Sequence, residues 1–210
     1  MHKVILLDMD GVFCDFNEGF YRLAEELHPE LMWHLPDRAT QKTFYIDECV
    51  EDPAMAKLAE ELCNNPRLFG MLPPIEGAIE GMQLLRAKAK AKGLHTMICT
   101  APHKENKSSY NEKAIWIEKQ LGFDWLNDTL LVRDKTVVSG IVLLDDKPNP
   151  LGNFVPVWEH VLMDRPYNRM MPNKARFHTW TEEAIDGLID HSLRRYEQWA
   201  YHMNSRGFIT

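Results

Sequence analysis

Short apolar runs recur along this chain of 210 residues, and most of them stop at a polar or charged residue. Uninterrupted apolar runs of this length are typical of strands that are buried on both faces of a parallel sheet. On this basis we predict five strands, at residues 4–7, 96–99, 130–132, 141–144 and 160–163.

Between these runs, apolar residues stand three and four positions apart, which is the helical period. Ser109 and Thr179 each have a glutamate three positions later, the spacing of a capping box, so we expect a helix to begin at each. The predicted helices cover residues 17–28, 41–49, 53–63, 75–92, 109–121 and 179–203.

The alternation of strands and helices after residue 72 predicts an α/β fold, a Rossmann-like parallel sheet covered by helices. Residues 17–72 have a mostly helical pattern and end at the breaker Leu72-Pro73-Pro74. We therefore expect residues 17–72 to be an insertion after the first strand, with residues 1–16 and 73–210 forming the core.

Polar residues that could take part in binding or catalysis follow four of the predicted strands. Asp8, Thr100, Lys135 and Asp145 each lie at or just past a strand end. Because ligands of parallel sheets bind at the carboxyl ends of the strands, we expect these side chains to meet at one edge.

The Asp8-Met-Asp10-Gly11 segment suits phosphoryl transfer. Asp8 can attack a phosphorus atom, and Asp10 can protonate the leaving oxygen and later activate water. Mg²⁺ prefers oxygen ligands, which Asp8, the Asp10 carbonyl and one of Asp145 and Asp146 could supply. The clustered carboxylates would repel one another unless a metal ion and a cation were present, and Lys135 is the candidate cation.

Structural interpretations of the same residues are also open. An acidic surface turn or a calcium loop could carry the first motif, although the apolar Val12-Phe13 does not suit a calcium loop. Lys135 could be a solvated lysine after a strand, and Thr100 could cap the next turn instead of holding phosphate with backbone N–H groups.

Charge and cysteine content narrow the class of protein. The formal net charge of −7 argues against non-specific binding to nucleic acid or to anionic membranes, so an anionic substrate must be attracted by local positive charge. The four cysteines have no metal-binding spacing, and no apolar run has the length of a membrane span. The first strand follows residues 1–3 directly, so we expect no signal peptide and a cytoplasmic location.

The sequence resembles the haloacid dehalogenase superfamily and, more narrowly, the 5′(3′)-deoxyribonucleotidases. The similarity covers almost the whole chain in the family's order, and RDKTVVS is far more specific than the DxD pattern alone. The segments that carry it are DMDGVFCDF (residues 8–16), ICTAP (98–102), EKAIWIEK (112–119), RDKTVVS (133–139), LLDD (143–146) and WEHVL (158–162).

The resemblance implies a phosphatase for deoxyribonucleoside 5′(3′)-monophosphates that works through an aspartyl-phosphate. Residues 17–72 would form a helical cap over the site, and a homodimer is compatible with the family. The implied roles are nucleophile for Asp8, acid/base for Asp10, phosphate binding for Thr100 and Lys135, magnesium binding for Asp8, Asp10 and Asp146 with Asp145 close by, and nucleoside contact for Phe16, Phe44 and Tyr45.

Three positions depart from the family pattern. Ala101 stands where a phosphate-binding serine is common, no tryptophan occurs near Leu62-Cys63, and Ile141 replaces an acidic residue. We also expect Lys104 near the substrate, although a surface lysine without that role is equally compatible with the sequence.

Two other functions remain open at this point. The chain could be a phosphatase for another small phosphate ester, or a nucleotide-binding module without catalysis. Likewise, Phe44 and Tyr45 could be core residues of the cap.

Overall fold

The central element is a parallel sheet, whose strands among the described residues are β1 (Val4–Leu7), β2 (His95–Thr100), β3 (Thr129–Leu131), β4 (Val142–Asp145), β5 (Glu159–Met163) and β6 (Arg176–Phe177). Their order in the sheet is β3-β2-β1-β4-β5-β6. It is seen in a computed structural model that describes residues 2–150 and 152–206. The strand order reverses at β1, because β2 and β3 lie on one side of it and β4, β5 and β6 lie on the other. In parallel sheets, a ligand-binding crevice forms at the carboxyl ends of the strands at such a point.

The register of β1 explains why its sequence is apolar throughout. Leu7 lies opposite Ile98 of β2 and Leu144 of β4, and all three side chains are fully buried. Leu6 faces the other side of the sheet and packs with Leu143 in a smaller cluster. Because both faces of the sheet are enclosed, a polar side chain at any position of β1 after the first would be buried away from water, which would destabilise the fold.

Aspartate side chains cap the first turns of two helices. Asp15 accepts a hydrogen bond from the Glu18 N–H at the start of the helix Phe16–Leu27, and Asp52 accepts one from the Ala54 N–H at the start of the helix Pro53–Cys63. The α-helices of the described residues are α1 (Phe16–Leu27), α2 (Pro53–Cys63), α3 (Ala78–Ala91), α4 (Ser109–Leu121), α5 (Phe123–Asn127) and α6 (Glu182–Ser205).

The fold class and all five predicted strands are confirmed, within one residue at each end. The predicted helix at residues 41–49 is wrong, because this segment is bent and contains only the 3₁₀ turn Asp47–Cys49. The Gln41 amide donates to the Thr43 carbonyl at 2.8 Å, and the Thr43 hydroxyl donates to the Tyr45 carbonyl at 2.8 Å. These side chains take carbonyls that a helix would use for its own bonds.

The last helix begins later than predicted. Thr181 is its N-cap, and the Thr181 hydroxyl accepts from the Ala184 N–H. Thr179 cannot cap this helix because the intervening Trp180 enters the core, where its indole N–H donates to the Val12 carbonyl at 2.9 Å. The helix predicted at residues 109–121 is confirmed, but Ser108 is its N-cap and Ser109 is its first residue, whose hydroxyl accepts from the His103 N–H at 3.0 Å.

Two short elements were not predicted, the five-residue helix α5 and the two-residue strand β6. Both are too short to show a period in the sequence. The next elements along the chain after β1 are α1, three 3₁₀ turns and α2, which together span residues 16–63. Among the described residues, no helix combines the length and the apolar character needed to cross a membrane.

Candidate active site

The loop after β1 is held in a single shape by its backbone. The Asp8 N–H donates to the Leu144 carbonyl at 2.8 Å, and Gly11 has a φ of 68°. A Cβ atom at Gly11 would lie 2.5 Å from Cγ of Asp146. Only glycine therefore allows the loop to turn here and the Asp146 carboxylate to approach it.

Three carboxylates meet at the ends of β1 and β4. One oxygen each of Asp8, Asp145 and Asp146 lies within 4.8 Å of the others, and all three residues are buried. The strand order makes this inevitable, because β1 and β4 are neighbours and run in parallel. The sequence-based expectation that these carboxylates share one edge is thus met.

Lys135 supplies the positive charge for this cluster. Its Nζ lies 2.8 Å from Oδ1 of Asp8 and 2.6 Å from Oδ2 of Asp145. Burial lowers the pKa of Lys135, but the two carboxylates outweigh it and raise the pKa above its ordinary value. Lys135 is therefore a buried ammonium group and not a solvated surface lysine.

The oxygens of the two adjacent aspartates differ in their partners. Asp145 accepts from Lys135 through Oδ2 and from the Lys147 N–H through Oδ1 at 2.8 Å. Asp146 accepts from the Tyr167 hydroxyl through Oδ2, whereas its Oδ1 is buried and has no hydrogen-bond partner among the described residues. Burial, and then Asp145 and Asp8, raise the pKa of Asp146 well above its ordinary value.

This donor set fits a small divalent cation. A buried carboxylate oxygen without a partner is costly, and a cation beside Asp146 Oδ1 and Asp8 would satisfy it. Hard ions such as Mg²⁺ take carboxylate and carbonyl oxygens of this kind. The residues present therefore fit the magnesium ion that the sequence predicts.

Lys113 of α4 is a site residue that the sequence analysis missed. Its side chain is fully buried, and its Nζ lies 2.5 Å from Oδ2 of Asp10 and 3.2 Å from the Thr100 hydroxyl. A signal was present, because Lys113 occupies the buried stripe of α4 with Ser109 and Trp116. A lysine in such a stripe requires a partner inside the protein.

The position of Thr100 bears on its predicted role. The Thr100 side chain is fully buried at the end of β2, and its hydroxyl accepts a hydrogen bond from Lys113. Thr100 thus lies at the predicted sheet edge, next to the partner of Asp10. Its contact with phosphate stays a prediction.

A cavity of about 740 Å³ opens above these groups. This volume lies within the range of small-molecule sites. Tyr45 is 47% exposed and lies on the cavity wall, so it is not a core residue of the segment 17–72. Phe44 is half-buried beside it. The predicted residues that line the cavity are Asp8, Asp10, Phe16, Phe44, Tyr45, Ala101, Lys104, Lys135, Asp145 and Asp146.

Positive and aromatic groups from separate elements also reach this cavity. His103 and Arg133 line it beside Lys104, and burial lowers the pKa of His103. Lys147 donates to the Tyr45 hydroxyl at 2.9 Å and lies 5.1 Å from the centre of the Phe44 ring. Local positive charge is thus present in a chain whose net charge is negative.

Comparison with solved structures places the fold. The Bacillus subtilis protein YfnB, assigned to the haloacid dehalogenase hydrolases and bound to magnesium, matches with a TM-score of 0.51 at 13% identity. The match covers 90% of this chain and 98% of YfnB. The parallel sheet and the helices that cover it thus form a haloacid dehalogenase-like α/β fold.

Sequence comparison gives the family. Residues 2–192 match the family described as 5′ nucleotidase, deoxy (pyrimidine), cytosolic type C protein. The mouse mitochondrial 5′(3′)-deoxyribonucleotidase is 34% identical over 186 residues, covering 85% of this chain and 82% of the relative. The human cytosolic type is 32% identical over 184 residues, covering 85% of this chain and 89% of the relative. The chain belongs to the 5′(3′)-deoxyribonucleotidase family of phosphoric monoester hydrolases.

Proposed function

We propose that this protein is a Mg²⁺-dependent phosphatase that hydrolyses deoxyribonucleoside 5′(3′)-monophosphates to a deoxynucleoside and phosphate. One observation carries the proposal: three carboxylates and a buried lysine lie beneath a cavity with aromatic walls. Family membership supports the substrate class, because the relatives are named for it.

In this proposal, Asp8, Asp146 and the carbonyl oxygen of Asp10 hold the magnesium ion, and Asp145 lies beside it. Asp146 is favoured over Asp145 as the direct ligand because Asp145 already uses both of its oxygens. When bound, the ion neutralises charge on the phosphoryl group and on the carboxylates.

Asp8 begins the reaction as the nucleophile. One Asp8 oxygen bonds to phosphorus while the ester P–O bond breaks, and Asp10 donates a proton to the leaving oxygen. Asp10 then takes a proton from water, the water oxygen bonds to phosphorus while the bond between phosphorus and the Asp8 oxygen breaks, and phosphate leaves. Lys113 holds the Asp10 carboxyl group in place for both proton transfers.

The phosphoryl oxygens need cations and hydrogen-bond donors nearby. Lys135 already contacts Asp8, so it is placed to contact a phosphoryl group bonded to that residue. Thr100 and the backbone beside Ala101 lie at the adjacent strand end. Because Ala101 has no hydroxyl, we expect Lys104 to provide part of the attraction at this position.

Residues 17–72 act as the cap that encloses the substrate and excludes water. Phe16, Phe44 and Tyr45 offer aromatic faces and edges to a nucleoside. The Phe44 and Tyr45 rings are 5.0 Å apart at 86°, so each can present a different side to the cavity.

The test is phosphate release with Mg²⁺ from dUMP, dTMP, dGMP, dAMP, UMP, 3′-dUMP and an aryl phosphate. Preferential turnover of deoxyribonucleotides, lost with EDTA and in Asp8→Asn, would support the proposal and report the base preference. Turnover of the aryl phosphate alone would keep the chemistry and remove the substrate assignment. A folded protein that binds nucleotides but releases no phosphate would instead be a binding module.

Cellular location and assembly belong to the same proposal. We expect a cytoplasmic protein, and its relatives include both a cytosolic and a mitochondrial type. A homodimer is compatible with the family, and light scattering of the purified protein would measure the oligomeric state.

A further inference from the structure

The 3₁₀ turn Pro166–Asn168, which follows β5, contacts Asp146 at two points. The Tyr167 hydroxyl donates to Oδ2 of Asp146, and the Asn168 amide donates to the Asp146 carbonyl oxygen at 2.8 Å. Side chain and backbone of the same aspartate are thus held by neighbouring residues of one turn.

The turn is itself anchored on two strands. The Asn168 amide also donates to the Met163 carbonyl at 2.7 Å, and Asn168 is fully buried. From β6, Arg176 donates to the Asn168 side-chain oxygen at 2.9 Å and to the Asn168 carbonyl at 2.7 Å. Tyr167 therefore projects from a backbone that has little freedom to move.

The Tyr167 ring also contacts the insertion. It packs edge-to-face with Phe44, with ring centres 5.8 Å apart and planes at 86°. The phenol thus touches a proposed substrate-binding ring at one side and a proposed metal ligand at the other.

The partners of the two Asp146 oxygens show what the Tyr167 hydroxyl can do. Because the hydroxyl engages Oδ2, the rotation of the carboxylate is fixed, and Oδ1 is the oxygen left without a partner among the described residues. Oδ1 belongs to a residue that meets Asp8 and Asp145 within 4.8 Å. Partners of this kind commonly set the direction of a ligating carboxylate.

We propose that Tyr167 is a positioning residue that orients the Asp146 carboxylate so that Oδ1 receives the divalent cation. The inference rests on the magnesium site of the proposed function and goes beyond it by assigning a role to a residue outside the metal-binding set.

The experiment measures Mg²⁺ binding to the metal-free protein without substrate, by calorimetry and by the rise in melting temperature with MgCl₂. The variants are Tyr167→Phe and Tyr167→Leu, which lack the donor, and Tyr167→His, whose ring N–H can donate. Tyr201→Phe, on an exposed part of α6, is the control.

We expect the Mg²⁺ dissociation constant to rise about tenfold to a hundredfold in the Phe and Leu variants. The His variant should stay closer to wild type, and Tyr201→Phe should be unchanged. At saturating Mg²⁺ the Phe variant should recover most of its kcat, which a general structural defect would not allow.

A folded Phe or Leu variant that binds Mg²⁺ as tightly as wild type would overturn the role of Tyr167 and leave the proposed function intact. If Phe does not fold, Leu and His provide the same comparison. A wild-type protein that binds no Mg²⁺ would instead overturn the metal site on which both proposals depend.

Discussion

The ammonium group of Lys113 lies 2.5 Å from Oδ2 of Asp10, and the Lys113 side chain has no contact with solvent. A buried ammonium group needs a carboxylate partner, and here that carboxylate is the proposed acid/base. The ion pair therefore joins the packing of α4 to the chemistry of the loop after β1.

Replacing Lys113 by methionine tests this link. Lys113→Met keeps the length of the side chain and leaves Asp10 without its cation, so kcat should fall about tenfold to a hundredfold while the protein stays folded. Steady-state kinetics would measure kcat, and circular dichroism would show whether the protein stays folded. Lys119→Met, on an exposed position of the same helix, should behave as wild type. Unchanged kcat in Lys113→Met would contradict the positioning role.

Asp146→Asn should separate stability from metal binding. Burial and the neighbouring carboxylates raise the pKa of Asp146, which means that its charge destabilises the metal-free protein near neutral pH. A neutral amide should therefore raise the metal-free Tm by a few degrees, at about 2–4 °C per kcal/mol for a chain of this size. The same variant should lose the rise in Tm with MgCl₂. Glu118→Gln is the surface control, and a lower metal-free Tm in Asp146→Asn would refute the prediction.

Gly11→Ala and Gly93→Ala form a matched pair. Both glycines have a positive φ, 68° and 72°, but a Cβ at Gly93 meets no heavy atom within 4 Å, whereas one at Gly11 meets Asp146. Gly93→Ala should cost about 1 kcal/mol of unfolding free energy from backbone strain. Gly11→Ala should cost clearly more and weaken Mg²⁺ binding. Equal losses of unfolding free energy in the two variants, measured in urea, would contradict the prediction. They would show that the Asp146 side chain can move away from a Cβ at position 11 without cost.

Lys104→Ala should raise KM for a deoxyribonucleoside monophosphate up to about fivefold and change kcat little, because an exposed ion pair is weak. Lys104 lines the cavity, and Lys107 is an exposed lysine on the same loop. Lys107→Ala is therefore the control for general loss of positive charge. If KM is the same in both variants, Lys104 has no role at the substrate.

His160 should make stability depend on pH. Burial and the nearby Lys174 lower its pKa from 6.5 to about 4, so between these values the unfolded chain binds a proton that the folded protein does not. His160 therefore contributes up to about 3 kcal/mol to the free energy of unfolding. This contribution is fully present above about pH 6.5 and is lost as the pH falls towards 4. Urea unfolding of His160→Gln should show a shallower pH dependence than wild type, and His95→Gln, an exposed histidine, should not. Parallel curves for His160→Gln and wild type would disprove the assignment.

The predictions from sequence succeeded where a local rule sufficed. The β1 and β4 strands were visible as apolar runs, and a parallel sheet places their ends at one edge. The proximity of Asp8, Asp145 and Asp146 could therefore be predicted from the sequence. The prediction of a helix at residues 41–49 is wrong because the side chains of Gln41 and Thr43 donate hydrogen bonds to nearby backbone carbonyls.

The sequence by itself determined the sheet, the aspartates at its edge and the family. Tertiary structure decided which groups the carboxylates contact. Lys113 is 103 positions from Asp10, and Tyr167 is 21 positions from Asp146. Such contacts depend on how α4 and the turn after β5 pack against the sheet, and packing is set by many side chains together. The hydrophobic periodicity of a sequence indicates which face of a helix is buried, but it does not indicate which residues that face contacts.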